Sequence, residues 1–358
     1  MKKIRISGIG LVSQAGITTE ALWERLCSKE TAVRQTEEIP FKPAYPASRL
    51  RRINRYCKMA LYASAETWKD GNISEEMDAF DRGTIFTTGY GSMAAQVKFY
   101  REVAKGEPDF CSPTVFTGTV PNSCVGTVCM FLNCKGASTM LSGGNHLEYS
   151  SLLLQNGQAE VILAGAVEEY TKELFEDLAA EPVNRNVPLS EGCVVFALEA
   201  EETSDLSAGG EGNLRPEESR SYCFLERTGT TGLPGTPFLK TVDREEAAGR
   251  MRELLADYVS DGPDLVLGAM NGSDFDPVEE QVLKELFGED RIGGSVKMLT
   301  GETLGCGFSM NVAAGALCLR HGFVPAALSG RGEDTAVKKI LVTGYDSAEN
   351  YMCALLVR

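Results

Sequence analysis

Short apolar runs ending near glycine alternate with stretches of helical periodicity along most of the chain. IRISGIGLV (4–12), GTIFTTG (83–89), AEVILAGA (159–166) and CVVFALEA (193–200) have the length and β-branched content of strands covered on both faces. Between them ALWERLCSK, CKMALYASAETWKDG and AAQVKFYREVAKG place apolar residues at helical spacing, and Thr18 stands where the first of these needs a cap. The stretch from Lys135 to Glu169 predicts a turn at Gly136, a buried helix over about Leu141–Gln155, and a strand. Asn156-Gly157 closes that helix, since glycine accepts the left-handed conformation a helix end requires. Small residues at Ser142, Gly143 and Gly144 allow other backbone to come close.

The pattern then recurs. YCFLERTGTTG (222–232), DLVLGAMNG (264–272), KKILVTGYDS (338–347) and YMCALLVR (351–358) read as strands, separated by the amphipathic REEAAGRMRELLADYVSD and PVEEQVLKELFGED. The polar, Gly-rich segment 203–220 divides the chain into halves, 1–203 and 221–358. Two such halves predict an internally duplicated α/β fold.

Composition narrows the partners. With 43% hydrophobic residues in 358, the core can be large, and a net charge of −15 argues against nucleic acid or an anionic membrane. Eleven cysteines occur without a CxxC pair, mostly inside apolar runs such as GCVVFALEA and YMCALLV, as reduced buried thiols do. His146 and His321 are the two histidines, too few for a His/Cys metal site, and no cofactor is expected. No apolar run approaches the length of a membrane span and the start reads as a strand, so a cytoplasmic protein is expected.

Several segments together carry a family resemblance: ISGIGLVSQAG with Trp23 and Leu26, GTIFTTGYGSM, SPTVFTGTVPNSCVGTVCMFLNCKG (112–136), AGAVEE (164–169) and SEGCVVFALEAEE (190–202). In the third, Pro113, Phe116, Asn122, Gly126 and Lys135-Gly136 are the anchors. The chain resembles the β-ketoacyl-ACP synthases, or ketosynthases. That implies a thiolase-like fold, two pseudo-repeated βαβαβ halves in a five-layer α/β/α/β/α sandwich. It also implies pairing of subunits, with the strand Val161–Ala164 meeting its mate across the interface.

The resemblance departs at the chemistry. Ketosynthases use a cysteine thiolate to hold the acyl chain and two histidines to assist decarboxylation. The matching positions here are Met140, Met270 in GAMNGSDFDPVEE and Glu302 in KMLTGETLGCGF, with Lys297 retained. Asn311 replaces a buried Glu, and the final loop reads YDSAEN, keeping Asn350. A thioether cannot become a nucleophile, so no catalytic triad is intact. Phe116, Ser142 and Asp346 fall at positions the resemblance assigns to the substrate pocket. Met140 is expected at the turn before the buried helix, with Glu302 near it and Lys297 pairing that carboxylate.

Three readings follow. The first is a non-catalytic subunit resembling chain-length factors, forming a homodimer or a heterodimer with an active ketosynthase in fatty-acid or polyketide synthesis, acyl carrier protein being reached through the partner. The second is an acyl-group enzyme with altered chemistry, a hydrolase or acyltransferase acting through Ser142 or Glu302. The third is an ordinary condensing enzyme whose nucleophile is Cys124, Cys129 or Cys134, all of which precede the Lys135-Gly136 turn.

Overall fold

Two runs of strands with one pairing pattern form the framework of the computed structural model, which describes residues 2–28, 38–106, 111–201, 221–240 and 242–358. The first half contains β1 (Lys3–Val12), α1 (Thr19–Cys27), α2 (Ala47–Leu50), α3 (Arg55–Asp70), β2 (Arg82–Thr88), α4 (Met93–Ala104), α5 (Pro113–Thr117) and α6 (Ser123–Leu132). It continues with β3 (Ser138–Ser142), α7 (His146–Gln155), β4 (Val161–Glu168), α8 (Lys172–Ala180) and β5 (Gly192–Glu201). The second half contains β6 (Cys223–Gly232), α9 (Arg244–Val259), β7 (Leu265–Leu267), α10 (Asp276–Phe287), α11 (Lys297–Thr300) and α12 (Gly307–His321). A two-stranded pair, β8 (Phe323–Val324) and β9 (Thr335–Ala336), precedes β10 (Lys339–Tyr345) and β11 (Asn350–Val357). The expected boundary at 203–220 lies outside the described residues. Among those described, no helix is long and apolar enough to cross a membrane.

The duplication is explicit in the register. From β1 the pairs run antiparallel to β5, antiparallel to β4, parallel to β2 and parallel to β3. From β6 they run antiparallel to β11, antiparallel to β10 and parallel to β7, and a parallel bridge from Val266 to Ile292 stands where a fifth strand would lie. Three residue pairs between β1 and β6 join the two arrays into one nine-stranded sheet.

Layering follows from alternation along buried strands. In β4, Val161 and Leu163 face the cluster under α3 and α6, while Ile162 and Ala164 face the cluster that holds α7 and α12. The second half's other face is covered by α9 and α10 through Met251, Leu255, Val282 and Leu283. Helices, strands, the α7–α12 pair, strands and helices make the five layers.

Two expectations need correcting. The central helix starts at His146, because Ser138–Ser142 pairs with β2 as a strand. The strand Val161–Ala164 cannot meet a mate across an interface, because β2 and β5 occupy both its edges. The free edge of the first half belongs to β3.

Close backbone approach fixes β1 on α3. A side chain at Gly10 would overlap the Ala63 carbonyl oxygen and come within 2.7 Å of Thr67 N, and the facing turns of α3 are small: Ala60, Ala63, Ser64 and Thr67. Gly10→Ala should therefore cost about 1–3 kcal/mol, the usual penalty of overpacking. Urea unfolding measures it, and an unchanged midpoint would mean that β1 does not seat on α3 as described.

Candidate active site

The carboxyl ends of the parallel strands in both halves converge, the place where open α/β sheets bind ligands. From the first half come the loop after β2, the β3–α7 turn and Glu168; from the second come the loop after β7, residues 302–306 and Asp346. A Cβ on Gly305 would overlap Gly89 N and lie 2.8 Å from Glu168 Oε1, so the two sides touch through glycine backbone.

The β3–α7 turn runs through Gly143 and Gly144 at φ +76° and +94°, a region that side chains disfavour. Gly143 N–H donates to the Thr88 carbonyl (2.8 Å), and Gly144 N–H donates to Asp346 Oδ2 (2.6 Å). Asp346 Oδ1 accepts from Ala348 N–H (2.9 Å) and Asn350 N–H (3.1 Å), and Asn350 Nδ2 reaches both oxygens. A backbone donor of the kind that stabilises an oxyanion is thus held by the chain's own carboxylate.

Met140 lies in the middle of β3 opposite Phe86, partly buried against the α3–α6 cluster, rather than in the turn. Glu302 sits in the second half with Lys297, whose Nζ is 2.7 Å from Oε2 and donates to the Ala269 carbonyl at 2.6 Å. The two side chains are 1% and 0% exposed. Asn271 Nδ2 donates to Oε2 (2.9 Å) and Leu304 N–H to Oε1 (2.7 Å), so every strong demand of the carboxylate is met. Met270 contributes its carbonyl, which accepts from the Ser295 hydroxyl. The side chain that reaches Glu302 is its neighbour Asn271, which the sequence reading missed although the AMNG tetrapeptide contains it.

His146, the first residue of α7, is buried with Nε2 3.3 Å from Ser309 Oγ of α12. Burial lowers its pKa to about 3, which keeps the ring neutral. Ser142 stands exposed at the end of β3, and the His146 ring bonds Ser309 instead. Phe116 is 56% exposed on α5 against Phe99, at 5.3 Å between ring centres. His321 ends α12 stacked on Trp23 at 3.8 Å. Burial raises the Cys124 thiol and pushes Cys134 up to about 11, which leaves both protonated and poorly nucleophilic.

Two adjacent carboxylates complete the first-half side. Glu168 accepts from Thr88 Oγ1 (2.7 Å), Gly89 N–H and Tyr90 N–H, and Glu169 accepts from Tyr56 N–H (3.2 Å) and Ala94 N–H (2.9 Å) in the first turns of α3 and α4. Burial outweighs these bonds and lifts both carboxyls to about 7.

Duplicated mixed strand arrays around a central helix pair define a thiolase-like fold, and solved structures share it over the whole chain. One is described as a type II polyketide-synthase acyl-carrier protein in complex with its ketosynthase bound to the hexaketide (TM-score 0.75, 16% identity, 99% of each chain). Another is the ishigamide ketosynthase/chain length factor (TM-score 0.76, 17% identity, 99% of each chain). The family profile "Beta-ketoacyl synthase, N-terminal domain" matches residues 39–180. The tetracenomycin polyketide synthase ketoacyl synthase alpha subunit of Streptomyces glaucescens is 25% identical over 90% of this chain and 86% of its own length. The chain is thus similar to β-ketoacyl synthases over 39–180 by the family profile and over most of its length by these relatives.

Removing one member of a buried pair strands the other. Lys297→Met should destabilise by about 3–5 kcal/mol, and Lys297→Met with Glu302→Leu should recover most of that loss. Unfolding of the four proteins of that cycle decides it; a double variant no more stable than the single one would mean that the two charges are not coupled.

The carboxyls also set a pH dependence. Glu168 and Glu169 hold protons up to about pH 7 in the folded chain against an ordinary value of 4.5, so their stabilising effect is complete below 4.5 and lost as pH rises through 7. His146 acts oppositely: its contribution is complete above 6.5 and lost as pH falls towards 3. The stability difference between the wild type and Glu168→Gln should therefore shrink or change sign from pH 4.5 to 7. A constant difference by chemical denaturation would place the Glu168 proton elsewhere.

Proposed function

We propose that this chain is a non-catalytic ketosynthase subunit, similar in role to a chain-length factor, that pairs with an active ketosynthase in polyketide or fatty-acid synthesis. The observation that carries this reading is the buried Lys297–Glu302 pair. A condensing site needs a neutral or cationic donor beside the developing enolate oxygen. A carboxylate locked between an ammonium, an amide and a backbone N–H supplies none. Asp346 supports the same reading, because its oxygen takes the Gly144 donor. With Met140 at the position matching the nucleophile, the chain would hold no acyl group of its own. The acyl carrier would then be served by the partner.

Pairing has a candidate surface. The β3 edge is unpaired on one side, and Tyr149 and Leu152 of α7 are 37% and 53% exposed although the opposite face of that helix is buried. An open strand edge and exposed apolar side chains are each what a covering subunit would use.

Incubation with an acylated carrier protein should leave the isolated chain without a covalent acyl adduct by intact-mass spectrometry; an adduct on any residue would overturn the reading. Co-expression with an active ketosynthase should give a complex, and Leu152→Glu should reduce it, or a self-paired form, to monomer by light scattering. A wild-type chain that stays monomeric with and without such a partner would remove the pairing half of the proposal.

A further inference from the structure

A cavity of about 630 Å³ opens between α3, α4, α5 and α6, apart from the Asp346 turn and the Glu302 cluster. Its rim carries Arg51, Arg52 and Lys98, all exposed. Elsewhere on the surface of this acidic chain some cations pair with an acid, as Arg101 does with Glu173 and Arg252 with Glu285. None of these three forms an ion pair with a carboxylate among the described residues, which leaves their donors open to a ligand. A fourth cation, Arg55, is spent on Glu191 and Glu38.

The walls differ from the rim. Ala95, Val115 and Met130 give them an apolar character, and Met130 is 69% exposed. Gly126 lies in the interior of α6, where glycine costs a helix about 1 kcal/mol relative to alanine. Among the described residues nothing lies within 4 Å of the Cβ it lacks, so packing against them does not demand the small residue. Its absence of a side chain leaves the cavity open. Glu169, which also lines the cavity, has each of its two oxygens engaged by one backbone N–H, of Tyr56 and of Ala94.

We infer that this cavity binds a small amphipathic anion, a single carboxylate or phosphate head held by the guanidinium groups with an apolar body lying along α6. Arginine recognises either head through paired N–H donors. The volume lies within the range of small-molecule pockets. The inference does not depend on the site being silent or on pairing.

Decanoate and decyl phosphate are the probes, with decanol as the neutral control, titrated calorimetrically into the full chain. One or both anions should bind, and their ratio identifies the preferred head; decanol should bind at least tenfold more weakly. Arg52→Glu with Lys98→Glu should weaken anion binding at least tenfold, and Gly126→Leu should abolish it while the unfolding midpoint stays near that of the wild type. Where Gly126→Leu fails to fold, the charge-reversed variant alone decides. Equal affinity for decanol, no binding of either anion, or undiminished binding to the charge-reversed variant would each overturn the inference. Light scattering on the same samples separates this outcome from any failure of subunit pairing.

Discussion

Burying a carboxylate is costly unless its oxygens are hydrogen-bonded, and this chain buries six among its described residues: Glu168, Glu169, Glu191, Glu279, Glu302 and Asp346. Each is placed where loops and helix starts have backbone N–H groups without partners. Glu169 joins the first turns of α3 and α4, and Glu191 gathers Ile39, Tyr170 and the Arg55 guanidinium. Glu279 holds Ala269 N–H with the Thr343 and Tyr351 hydroxyls. Asp346 reaches across from the second half to the turn before α7. The irregular backbone at the carboxyl ends of the strands is thereby satisfied internally, and the two halves are tied together where they meet.

That constraint separates fold from chemistry. The carboxylates bind backbone, so the loops keep their shape whatever side chains point into the space between them. Cysteine and histidines can be lost from such a site without unravelling it, whereas a lost carboxylate would leave several N–H groups unpaired at once. Glu302 serves Leu304 N–H and Lys297 as the other carboxylates serve their loops.

Most of the framework was legible in the sequence because buried strands are written as runs. Val161–Glu168, Gly192–Glu201 and Lys339–Tyr345 each lie at apolar stretches, and Thr18 and Gly157 mark the ends of α1 and α7 as their chemistry requires. β3 was not legible. STMLS is five residues long, lies at a sheet edge and is half-exposed, so it carries neither a continuous run nor an alternation. Counting a helix through it displaced the expected helix start from His146 to Leu141. Strand order was equally hidden, since nothing in VILAGA says that both its edges are occupied. At the site, the pairing of Lys297 with Glu302 could be anticipated from five residues of separation and opposite charge. Asp346 on Gly144 could not, because they lie 202 positions apart and only the duplicated fold brings them together.

The exposure of α7 then acquires a physical meaning. A helix between two sheets should be apolar all round or else covered. His146, Leu147, Ser150, Ser151, Leu153 and Leu154 are covered by this chain, while Tyr149 and Leu152 are left to water, and among the described residues β3 has an unpaired edge. Exposed hydrophobic side chains and unpaired strand backbone are each unfavourable for a lone subunit and favourable for a covered one. The pressure to keep them is independent of Met140, Glu302 and Asp346, which face other groups. The described residues hold both conditions together: carboxylates bonded to the chain's own backbone and side chains, and a helix face with apolar residues open to water.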